Sequence, residues 1–161
     1  MDLGPAMEHI AQSTAAAGMQ PSYQRIGGGV ALVARTSEFR WRWFATRLHT
    51  FLVVAQFPPG TATRPALDAF LGAATDYAIA NKSGLPRGLQ TGTAIVAAAV
   101  TAQPPPEAIA WASAVHGRKF AAIPFPALVD AATRQVVRPQ RMVIGGIYGP
   151  YLRQMVDSHI A

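Results

Sequence analysis

The stretch Ser83-Gly84-Leu85-Pro86-Arg87-Gly88-Leu89-Gln90-Thr91-Gly92 holds the residue types in this chain best suited to binding chemistry. Its three glycines free the backbone to turn N–H groups toward a ligand. Arg87 is the only charge in the stretch, and its guanidinium fork can hold a carboxylate or phosphate by two parallel hydrogen bonds. The candidate ligand-binding residues are therefore Arg87, Gly88, Gln90 and Thr91, and the expected ligand is a small anion. The usual phosphate loop runs from strand into helix and uses the helix dipole. This stretch is expected to run from helix into strand, and it lacks the Gly-Lys-Ser/Thr ending. The competing role for Arg87 is structural, satisfying carbonyls at the end of the preceding helix.

A second set is Phe39-Arg40-Trp41-Arg42-Trp43-Phe44. Aromatic rings interleaved with arginine suit single-stranded nucleic acid. On a strand, however, Phe39, Trp41 and Trp43 would share one face and Arg40 and Arg42 the other. The rings are then better read as packing on the core or on a partner, and Phe39, Trp41 and Trp43 become candidate interface residues of a homodimer at an edge hairpin. Gly27-Gly28-Gly29 precedes an apolar strand, not a helix, and reads as a turn or bulge instead of a dinucleotide fingerprint.

The remaining chemistry-bearing residues form no known constellation. His9, His49, His116 and His159 make no metal-ligand pair at short spacing and are read as surface or helix-end residues. The eight carboxylates are spread singly. No Gly-x-Ser-x-Gly elbow and no Glu-x-Lys is present, and Gly146-Ile147-Tyr148 matches only half of the GIY-YIG nuclease signature. No metal site and no cofactor is expected, and the reading leans away from an enzyme.

Composition sets the frame for these residues. Half of the 161 residues are apolar and 14% are charged, which suits one folded domain spanning residues 1–161, with residues 1–20 as an N-terminal helix and linker. There is no cysteine, so disulfides and thiolate chemistry are excluded. The net charge of +6 comes almost wholly from scattered arginines, with no basic block. That pattern argues against a nucleic-acid footprint. No apolar run reaches the ~18 residues of a membrane span. The first residues, Met-Asp-Leu-Gly, do not read as a secretory signal, and the expectation is a cytoplasmic protein away from membranes.

The elements that must position these residues follow from periodicity. A helix is expected over 5–17, stopped by Gly18. Strands are expected near 25–35, 38–46 and 49–57, with turns at Thr36-Ser37 and Arg47-Leu48. The clearest helix is 63–80, capped by Thr63 and carrying Leu67, Phe70, Leu71 and Ala74 on one face. Asn81 suits the left-handed stop of that helix. A small-residue strand follows over 93–101 and a short helix over 107–115. Two strands broken by Pro124-Phe125-Pro126 come next, then a short strand at 135–137 and a final helix that starts near Tyr148 and ends at His159.

The run Leu85-Pro86-Arg87-Gly88-Leu89-Gln90-Thr91-Gly92, followed by Pro124-Phe125-Pro126-Ala127-Leu128-Val129-Asp130 and by Gly145-Gly146-Ile147-Tyr148, resembles a family of uncharacterised prokaryotic proteins. The likeness covers about residues 40–155 and implies no activity. In element order the chain is also similar to secretion-chaperone-like α+β folds. The expected fold is α+β: a mostly antiparallel sheet of five to six strands with helices mainly on one face, in the order α-βββ-α-β-α-ββ-α. The expected function is a non-catalytic interaction or ligand-binding module that pairs with itself and binds a protein or an anionic small molecule. The alternatives are a small enzyme or binding protein acting on a carboxylate or phosphate through Arg87, and a weak nucleic-acid binder.

Overall fold

A computed structural model describes residues 4–40, 46–81, 91–114, 122–140 and 148–160. Helix α1 (Gly4–Ala16) ends at Gly18, whose φ of +83° places it in the left-handed region. The N–H groups of Gly18 and Met19 return to the carbonyls of Ala15 and Thr14, a Schellman stop. Strands β1 (Ser22–Ile26) and β2 (Gly29–Arg40) meet at the glycine triplet. Gly27 has φ +59°, and a side chain there would come within 3.3 Å of Ala73 Cβ. The triplet is thus the turn that its composition suggests.

Strand β2 runs unbroken through Thr36 and Ser37, which pair with Thr50 and His49 of β3 (Thr46–Gln56). The turn expected at Thr36-Ser37 is therefore absent, and Arg47-Leu48 lies inside β3. A β-branched residue and a small hydroxyl residue suit a ladder as well as a turn. Helix α2 (Arg64–Asn81) leads to β4 (Thr91–Thr101), α3 (Pro106–Ser113) to β5 (Ala122–Asp130), then β6 (Val136–Val137) and α4 (Gly149–His159). The strands lie in sequence order, β1-β2-β3-β4-β5-β6.

Among the described residues the chain is α+β with a six-stranded mixed sheet and four helices. The three strands of residues 22–56 are antiparallel, as short connections require. The expectation of a mostly antiparallel sheet holds only in part: β1-β2, β2-β3 and β5-β6 are antiparallel, but β3-β4 and β4-β5 are parallel and form the sheet's centre. The crossover helices α2 and α3 make this possible. Strands buried on both faces read as continuous apolar runs, and Phe51-Leu52-Val53-Val54 and Ala94-Ile95-Val96-Ala97 do so.

The helices also do not gather on one face. Leu48, Leu52, Val54, Val96 and Phe125 pack against α1 and α4. Phe51, Val53, Ile95 and Leu128 pack against α2 and α3, where Trp111 is fully buried. Two apolar faces demand two covering layers. Strand β5 passes through Pro124 and Pro126 without a break. The two prolines share one parity, and β6 pairs only with Leu128 and Val129, so neither ring displaces a ladder bond to β6. Among the described residues no helix is long and apolar enough to cross a membrane.

Candidate functional site

The register brings one end of the sheet together. Arg47 of β3 lies opposite Phe39 of β2 and Thr91 of β4; His49 lies opposite Ser37 and Thr93; Thr93 lies opposite Ala122. Directly opposed residues point to the same face, so Arg35, Ser37, Arg47, His49, Phe51 and Thr93 all belong to the α2/α3 side. These are the starting ends of the parallel strands, where α2 finishes.

His49 is the centre of this set. It is only 8% exposed, and among the described residues neither ring nitrogen has a hydrogen-bond partner. Buried imidazole nitrogens without partners are uncommon, because each loses its water without replacement. Burial first, then the positive charges of Arg35 and Arg47, hold His49 below the ordinary imidazole range. The ring is therefore neutral at pH 7, with one N–H to donate and one nitrogen to accept. Thr93 beside it is buried as well.

An exposed basic rim covers this floor. Arg47 Nη1 donates to Ser37 Oγ at 3.1 Å, and among the described residues Arg47 makes no ion pair. The Arg35 guanidinium lies 4.9 Å from the centre of the Phe51 ring, and its Nη1 donates to the Asn81 carbonyl at 3.1 Å. That carbonyl belongs to the last residue of α2, the negative end of the helix, where a cation is favoured. Asn81 closes the helix by donating its side-chain amide to the Tyr77 carbonyl at 2.8 Å. Tyr77 in turn meets Phe51 edge-on at 6.4 Å. The helix end, the aromatic pair and Arg35 thus form one supported unit, and among the described residues Arg47 is held beside it by Ser37 alone.

The opposite end of the parallel strands is less open to a ligand. Both crossover helices lie on one face, so the parallel strands have no switch point where a crevice would open. The first N–H groups of α2 are also engaged. Arg64 N–H donates to Glu107 Oε2 at 3.0 Å, and Ala66 N–H donates to Thr63 Oγ1 at 3.3 Å.

Of the residues expected to bind a ligand, Arg87, Gly88 and Gln90 lie outside the described residues, and Thr91 opens β4 opposite Arg47. The loop therefore delivers its last residue to the basic end of the sheet. Trp41 and Trp43 also lie outside the described residues, while Phe39 is in β2. Strand β1 covers only residues 29–33 of β2, so the far half of β2 is paired on one side alone among the described residues.

The sequence reading missed His49 by placing it at the surface. The signal was present: His49 has the parity of Phe51 and Val53 in an apolar strand, which marks a core position. His159 ends α4 and is half-buried, with Nδ1 3.1 Å from Ser13 Oγ, and burial lowers its pKa. His9 is exposed on α1, and His116 lies outside the described residues. Among the described residues no group of three or more acidic or histidine side chains could hold a metal ion. Comparison of the chain with protein-family models, with curated proteins and with solved structures found no match.

Proposed function

We propose that this chain is a non-catalytic binding module for a small carboxylate or phosphate, taken at the Arg47–His49 end of the sheet. The observation that carries this reading is the buried His49 ring, with both nitrogens unpartnered among the described residues, beside Arg35 and Arg47. A neutral imidazole donates to an anion without a proton transfer. Arg47 is long, exposed and held by a single hydroxyl, so it can leave Ser37 and close on the ligand. Arg35 supplies a fixed positive field from its seat on Phe51. Neither the Ser37 nor the Thr93 hydroxyl is hydrogen-bonded to the His49 ring, and a binding role needs no nucleophile. Arg87, outside the described residues, joins the proposal as a third guanidinium, because Thr91, four residues on in the sequence, opens β4 opposite Arg47.

Calorimetric titration with inorganic phosphate and with a series of mono- and dicarboxylates tests the reading. Arg47→Ala is expected to weaken binding by about 10–100-fold, the worth of hydrogen bonds to a charged group. Arg87→Ala reports whether the loop contributes to the same site. Heat signals that Arg47→Ala leaves unchanged would remove this end of the sheet from the function.

A further inference from the structure

We infer that β1 is a self-pairing edge through which two copies of this chain join their sheets, antiparallel and centred on Gln24. Among the described residues β1 pairs with β2 alone, and its other side is an open strand edge. Natural sheets guard such edges by shortness, proline, bulges or charge. The opposite edge is guarded in this way. Strand β6 has two residues, followed by Arg138, which forms a two-pronged ion pair with Asp157 at 2.8 Å per contact, and by Pro139. The far half of β2 carries Arg35 and Glu38. Strand β1 has five regularly paired residues, no proline, no bulge and a single charge, Arg25.

The strand is also complementary to itself. Antiparallel pairing about Gln24 engages all five residues and sets Tyr23 of each copy opposite Arg25 of the other. Directly opposed residues share a face, so each guanidinium meets a tyrosine ring, a favourable cation–π contact made twice by the twofold axis. Centring on Arg25 instead would oppose two like charges. Tyr23 is 60% exposed, as is Val30, which pairs with Arg25 on the same face. Beside them lies a groove of about 480 Å³ lined by Met7, Glu8, Tyr23 and Val30. Two of the three exposed large apolar side chains among the described residues are thus at this corner. A ladder this short buries less than a standard interface, so the dimer is a weak one that forms at high micromolar concentration.

Sedimentation equilibrium over a concentration series, with circular dichroism to check folding, tests this. The wild type is expected to rise from the 17.1 kDa monomer toward twice that mass. Tyr23→Lys places Lys opposite Arg and is expected to raise the dissociation constant at least tenfold. Adding Arg25→Glu to Tyr23→Lys places opposite charges across the same pair and is expected to restore association. A wild type that stays monomeric at high micromolar concentration would overturn the inference. So would a folded Tyr23→Lys variant that associates like the wild type, since that would put the contact elsewhere, including the Phe39 region. Failure of the double variant to recover would overturn the Gln24-centred register.

Discussion

Truncating Phe51 to alanine will lower the unfolding free energy by about 3–5 kcal/mol, the usual cost of removing a buried ring and leaving its cavity. Phe51 is 1% exposed and lies in β3 between β2 and β4. The change also removes the edge-on partner of Tyr77 and the surface under the Arg35 guanidinium. Anion binding should therefore fall together with stability. Phe51→Leu is the control. It keeps most of the apolar volume and should cost less than about 1.5 kcal/mol, while still removing the ring beneath Arg35. Denaturant unfolding and phosphate titration on both variants separate the two contributions. If Phe51→Leu binds as the wild type does, the ring serves the core alone.

Replacing His49 by leucine will act in the opposite direction on stability. Two buried nitrogens without partners cost free energy, and an apolar side chain of similar size removes that cost. The expected gain at neutral pH is about 1–3 kcal/mol, with loss of anion binding. The change also alters the pH dependence. The folded pKa of His49 lies below the unfolded value of 6.5, held there by burial and by Arg35 and Arg47. Between the two values the unfolded chain binds more protons, so stability is complete above pH 6.5 and is lost as pH falls through that window. The groups facing the ring are Arg35, Ser37 and Arg47 on the rim and Thr93 on β4; neither hydroxyl titrates there. His159, also lowered by burial, adds a loss of the same sign. Thermal melts from pH 7.5 to 5 should thus decline less steeply for His49→Leu than for the wild type. Equal slopes for the two proteins would place the proton uptake elsewhere.

The element order could be read roughly from the helix stripes and glycine stops, but the strand expected at 25–35 spans the β1–β2 turn and the turn expected at Thr36-Ser37 lies inside β2. Leu67, Phe70, Leu71 and Ala74 define α2, and Gly18 and Gly27 sit where positive φ is needed. Strand direction could not be read in this way. Whether β4 runs parallel to β3 depends on where α2 returns the chain, and that is a property of packing and not of any local residue pattern. The two-layer placement of the helices was visible in principle, since Phe51-Leu52-Val53-Val54 is apolar at both parities, but one covering layer cannot be told from two along a single strand. Thr36-Ser37 looks like a turn because hydroxyl residues serve turns and ladders equally; only its pairing with Thr50 and His49 decides the matter.

The candidate site was legible only in part. The preference for an anion follows from arginine chemistry, and of the stretch 83–92 the described residues Thr91 and Gly92 lie in β4 opposite Arg47 and Leu48. The residues that now carry the reading, Arg35, Arg47 and His49, are spread over two strands and meet through register. A lone histidine in an apolar strand gives no motif. Its importance arises from burial without a partner, which is a fact of three dimensions.

The most direct test follows the His49 imidazole by nuclear magnetic resonance as a function of pH, with and without sulfate, an anion that does not itself titrate between pH 5 and 8. Anion binding beneath Arg47 favours the protonated ring. His49 is expected to titrate below the ordinary imidazole range without sulfate, with a midpoint that moves upward as sulfate is added. A His49 midpoint that does not respond to sulfate would contradict the proposed site.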